Sequence, residues 1–143
     1  MYGPEDLEIV TNDLSRVRKL AHLLFPGSVA NTAELVGMLV QEIVRYGFSP
    51  FEVVRDGDVI RICAAKDWMT VGMPVGELFE RLHVPTDRGP NAHRLEALVA
   101  AFSPAWATTG EAGQASGPAD PELSRALAEA DAKWRRVLVW KAF

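Results

Sequence analysis

Two periodicities divide the chain, one helical and one of strands. Apolar residues at Leu7, Val10, Leu14, Val17, Ala21 and Leu24 are spaced by three and four, which predicts a helix over 4–25 with one narrow apolar stripe. Pro4, Glu5 and Asp6 suit its first turn, and Pro26-Gly27 ends it. Such a stripe packs within a fold or forms a dimer seam. A second helix is predicted over 31–46. Asn31 is its N-cap, Glu34 follows three residues later as in a capping box, and Gly47 with Pro50 closes it. Leu35, Val36, Met38, Leu39, Val40, Ile43, Val44 and Tyr46 leave it apolar on most sides, so it has to be largely covered.

The pattern then changes to period two. In Phe51–Ala64, two β-rich runs flank Asp56-Gly57, a dipeptide suited to a two-residue hairpin turn. The expected register sets Val54 opposite Val59, Val53 opposite Ile60 and Glu52 opposite Arg61. Phe51, Val53, Ile60 and Ile62 then share one face, and Val54 and Val59 share the other. A lone hairpin is marginal in water, so neighbouring helices must cover it.

Helical spacing returns in 74–82, through Val75, Leu78, Phe79 and Leu82, and in 90–102, through Ala92, Leu95, Leu98, Val99 and Phe102. From Ser103 to Ala119 the text is small, polar and rich in glycine and proline, which reads as a flexible linker or long loop with Trp106 its one anchor. Asp120 and Pro121 then open a helix over 120–138. The closing Val137-Leu138-Val139-Trp140 could equally be a strand, since periodicity does not decide so short an apolar run. Together these elements predict an α+β protein: a core domain over 1–102 around a central antiparallel hairpin, a linker over 103–119, and a tethered amphipathic helix over 120–143. The terminal run or a partner chain would extend the sheet.

Composition narrows the function classes. The chain has 143 residues, 48% apolar and 24% charged, enough for one domain with a real core. Its net charge of −4 is spread, and no segment is basic overall, which argues against binding nucleic acid through phosphates. Cys63 is the only cysteine, so a reducing, cytoplasmic setting is expected. The first ten residues lack a signal-peptide pattern, and no run of about 18 apolar residues predicts a membrane span.

The chain lacks P-loop, Rossmann, zincin, nucleophile-elbow and C-x-x-C motifs. The most polar cluster is His83, Asp87, Arg88, His93 and Arg94. His83, Asp87 and His93 are the candidates for acid–base or metal chemistry, although their spacing fits no known ligand pattern. Residues 74–102 have the order of a helix-turn-helix, but the connection is longer than the roughly 3–4 residues of that motif and the segment is acidic. The Asp56-Gly57-Asp58 triplet is explained by the hairpin.

Trp68, Met69 and Met73 stand among polar residues and glycine: either Trp68 folds back over the hairpin edge and fills core, or the three form an adaptable contact loop. Trp134 and Trp140 sit beside Lys133, Arg135, Arg136 and Lys141 on the terminal arm: either the cations complement the end of the helix while the tryptophans pack, or the arm docks on another subunit. These five residues are the candidate partner contacts. The apolar helix over 31–46, the stripe of the first helix and the tethered terminal helix together point to a non-catalytic, self-associating interaction or adaptor protein that binds a protein partner or a second copy. A small enzyme or metal-binding protein using the 83–94 loop is the alternative, and a DNA-binding regulator comes third. No cofactor and no metal are assigned.

Overall fold

The computed structural model describes residues 13–70, 72–80 and 95–143. It combines helices with a five-stranded, wholly antiparallel sheet, an α+β arrangement. The helices are α1 (Asp13–Lys19), α2 (Ala21–Leu24), α3 (Thr32–Arg45), α4 (Val75–Leu78), α5 (Leu95–Phe102) and α6 (Pro121–Glu129). The strands are β1 (Phe51–Asp56), β2 (Val59–Ala64), β3 (Trp106–Gly110), β4 (Ala115–Ser116) and β5 (Arg136–Lys141), in the spatial order β1-β2-β5-β3-β4.

The centre of this sheet is β5, and the hairpin lies at its margin. Leu138 is registered between Ile62 of β2 and Thr108 of β3. Both faces of β5 are covered, and all six of its residues are buried. A strand covered on both sides has no polar face, which is why its sequence shows no alternation. The terminal helix accordingly ends at Glu129, and the residues after it return as a strand.

Strand alternation sorts the core into two layers. Ile60, Ile62, Ala64, Trp106, Leu138 and Trp140 face the cluster built by α1, α3, α4 and α5, with Val17, Leu35, Leu39, Ile43, Leu78 and Leu98 among its fully covered members. Val59, Cys63, Val137 and Val139 face the other way and pack with Leu123, Ala126 and Leu127 of α6. Thus α6, read from the sequence as a tethered arm, is seated on its own sheet. Lys141 Nζ reinforces that seat: it lies 3.2 Å from Glu122 Oε2, 3.7 Å from Asp120 Oδ2 and 3.3 Å from Asp58 Oδ1.

The stretch 103–119, expected to be a linker or loop, contains β3 and β4. Trp106 stacks on Phe79 at 3.8 Å with 7° between the rings. Its small residues are needed for close packing. A Cβ on Gly110 would sit 2.6 Å from Arg136 Nε and closer still to the Arg135 carbonyl.

Local signals at the helix ends act as expected. Asn31 Oδ1 accepts from Glu34 N–H at 3.0 Å, Gly47 takes the left-handed conformation after α3, and Asp120 Oδ1 accepts from Glu122 N–H at 2.9 Å. The expected helix over 4–25 is interrupted at Leu20, between α1 and α2. Residues 1–12 and 81–94 lie outside the described residues, so the predicted ends of that helix and of those over 74–82 and 90–102 are not all in view.

The hairpin register is displaced by two residues from expectation. Asp56 pairs with Val59, so Gly57 and Asp58 form the turn. Gly57 has φ +61°, whereas Ser28 is the only described non-glycine residue with positive φ. A type II′ turn places glycine first and spares aspartate the left-handed region, which costs roughly 1–2 kcal/mol for a residue with a Cβ. A two-residue displacement preserves the faces, so Phe51 and Val53 still share a side with Ile60 and Ile62. Glu52 and Arg61, no longer opposite, still meet diagonally at 3.5 Å.

Candidate interaction surface

Among the described residues β1 has a neighbour on one side only, and its other edge is unpaired. Which backbone groups that edge presents follows from one bond: Ala65 N–H donates to Pro50 C=O at 2.9 Å. In an antiparallel ladder, residues alternate between bonding inward and outward. Glu52, Val54 and Asp56 therefore bond toward β2, while Phe51, Val53 and Arg55 aim N–H and C=O groups at the open edge. The pairing with β2 runs unbroken over six residues, without a bulge to twist the edge away. At the far side of the sheet, β4 is only two residues long.

Apolar exposure concentrates in the sequence around β1. Phe51 and Val53 are 37% and 39% exposed, and Val44 and Tyr46, at the end of α3, are 54% and 40% exposed. Among the described residues, four of the six exposed large apolar side chains lie between residues 44 and 53 of the sequence; Leu23 and Val29 are the other two. Isolated exposed apolar residues are ordinary, whereas Phe51 and Val53 stand on a strand with an unpaired edge.

The five residues expected to contact a partner lie elsewhere. Trp68, Met69 and Trp140 are buried in the core and offer a partner no surface. Met73 is half-buried against the same core. Trp134 is half-buried against the α6 layer, with Lys133 Nζ 4.8 Å from its ring centre. The candidates His83, Asp87 and His93 lie outside the described residues, as do Arg88 and Arg94.

A charged cluster that the sequence did not announce is held inside. Asp67 receives Arg136 Nε at 2.8 Å and Nη2 at 2.7 Å, together with the N–H groups of Met69 and Ala112, both at 2.8 Å. Arg136 Nη1 also donates to Gly113 C=O at 2.9 Å and Thr108 Oγ1 at 3.2 Å. Burial works to raise the Asp67 pKa, but the Arg136 hydrogen bond, those two N–H groups and the Arg136 charge outweigh it and hold the carboxyl below its ordinary 3.8. With the Arg136 and Asp67 side chains 0% and 3% exposed, the pair ties the 64–69 segment to β5 and the β3–β4 turn, beyond reach of a solute.

The other chemically reactive groups are similarly engaged. Burial pushes the Cys63 thiol up to about 11, against a smaller opposing effect of Arg61, so it stays protonated near neutrality. Asp58 bonds Lys141 at the hairpin turn. Among the described residues, no three His, Cys, Asp or Glu side chains are grouped to hold a metal ion. Nor, among them, is any helix long and apolar enough to cross a membrane. A cleft is lined by Phe79, Trp106, Arg18 and Glu80, with no histidine or cysteine among the described residues of its wall, and Arg18 Nε donates to Ala101 C=O at 2.6 Å.

Comparison with family models, curated proteins and solved structures finds no match. The functional reading therefore rests on the geometry of this chain.

A β1 signal was present in the sequence but pointed elsewhere. The hairpin faces were legible, yet nothing local says which strand of a hairpin will be left at the margin. That depends on β5, which arrives some seventy residues later to take the inner side of β2.

Proposed function

We propose that this protein is a non-catalytic interaction module that binds an extended segment of polypeptide along the open edge of β1. The observation that carries this reading is the outward row of backbone groups at Phe51, Val53 and Arg55, flanked by exposed apolar side chains. Strand addition to such an edge draws affinity from main-chain hydrogen bonds and selectivity from alternate side chains. The remainder of the chain serves as a rigid support, with β5 covered on both faces behind the hairpin. A single buried thiol suits action in a reducing, cytoplasmic setting.

The edge can be blocked without disturbing the sheet. Proline is tolerated on an edge strand where the N–H faces solvent, and Val53 is such a position. Short random-sequence peptides selected on the immobilised full chain should bind it. They should lose most of that binding to Val53→Pro, whose β1–β2 bonds remain. Equal binding to both proteins, or selection of no peptide, would refute the edge as the site.

A further inference from the structure

Resting on that edge reading, we infer that the segment received by β1 is β1 of a second copy, paired antiparallel about a two-fold axis that passes beside Val53. In a two-fold antiparallel pair the faces of both sheets stay aligned, so each residue must lie opposite one of its own face. Odd residues therefore meet odd ones, and even residues meet even ones.

This condition leaves few registers; one centred on Phe51 would set Val53 and Arg55 opposite Ser49 and Gly47, outside the strand, and charge selects among the rest. Centring on Glu52 sets Glu52 against its own copy. Centring on Val54 sets Glu52 against Asp56, and centring on Arg55 sets Arg55 against itself. Each of these opposes like charges, which destabilises a strand pair. Centring on Val53 opposes none: Val53 meets Val53, Glu52 meets Val54, and Phe51 meets Arg55.

Hydrogen bonding favours the same register independently. Phe51, Val53 and Arg55 are the residues whose N–H and C=O groups face outward, and about Val53 all three find outward partners in the second copy. The exposed side chains gain as well. The two Val53 residues touch across the axis, and each Phe51 ring lies beside a guanidinium, a favourable cation–aromatic contact. The product is one continuous sheet of two copies, with both α3-bearing faces on the same side and the β1 edges consumed. Pairing thereby removes the edge that would otherwise invite open-ended assembly.

The test combines mass with cross-linking of full-length protein. Across the axis, residues at position 53 would have Cα atoms about 5.5 Å apart, within disulfide range, whereas those at 54 are diagonal neighbours roughly 7–8 Å apart. Under mild oxidation Val53→Cys should form a covalent dimer about tenfold faster than Val54→Cys, given that difference in reach. Wild type, whose only thiol is the buried Cys63, should form none. Sedimentation equilibrium of wild type should show mass rising from monomer to dimer with concentration. A dimer in which Val54→Cys links as fast as Val53→Cys overturns the register and leaves the edge reading intact. A monomer at every concentration overturns the second copy as partner, and the peptide selection then judges the edge by itself.

Discussion

Replacing Arg136 with alanine is expected to cost about 3–5 kcal/mol of folding stability, the usual penalty for leaving a buried charge without its partner. Among the described residues Asp67 has no substitute cation, because its carboxylate is enclosed and its two remaining bonds come from backbone N–H groups. Against the roughly 5–15 kcal/mol that holds a typical domain together, such a loss is large. Urea unfolding followed by circular dichroism measures it directly. The same pair makes stability depend on acidity. Since the folded state holds the Asp67 pKa below 3.8, its contribution is present above that value and fades as pH falls through the lower folded value. In Asp67→Asn that acid-dependent component should be missing. A wild-type loss on acidification that persists unchanged in Asp67→Asn would assign it to other carboxylates.

Trp140→Ala should be similarly damaging, at about 3–5 kcal/mol for deleting a fully covered tryptophan. The side chain is wholly buried in β5, registered between Ile60 and Trp106. The prediction separates two roles for the same residue. A tryptophan on a docking arm would lose partner affinity on truncation and leave the urea midpoint almost unchanged. A tryptophan in the central strand lowers the midpoint whether or not any partner is present. An unchanged midpoint would contradict the placement of β5.

These two residues also show where the sequence was legible. Local chemistry carried its meaning: Asn31 and Asp120 cap, Gly57 turns, and the two hairpin faces separate as alternation requires. What escaped was long-range. Arg136 begins an apolar run and looked like a cation at the end of a helix, yet its partner Asp67 lies 69 positions away. Thr108, Gly110 and Gly113 looked like linker residues because a close backbone approach selects the same small residues that flexible segments use. Gly110 is compact because the Arg135 carbonyl and the Arg136 guanidinium occupy the place a side chain would take. Lys141 and Arg136 give Trp140 the sequence company of a surface residue, yet all three are buried.

The candidate site follows the same division. Exposure of Phe51 and Val53 cannot be inferred from β1 alone, since the same residues inside a sheet would be core. Their exposure follows from strand order, with β5 taking the inner side of β2 and, among the described residues, no strand taking the outer side of β1. Self-association is thereby proposed through a strand edge and not through the apolar stripe, the 31–46 helix or the terminal arm that suggest it in the sequence.

Residue-resolved amide hydrogen exchange of the full chain, at low and high protein concentration, tests the central claim most directly. Glu52, Val54 and Asp56 bond to β2 and should be protected in both samples. Phe51, Val53 and Arg55 should exchange freely when dilute and slow markedly when concentrated, as their outward N–H groups are taken up by a second β1. Fast exchange at those three amides at every concentration, beside protected even-numbered neighbours, would contradict edge pairing between copies.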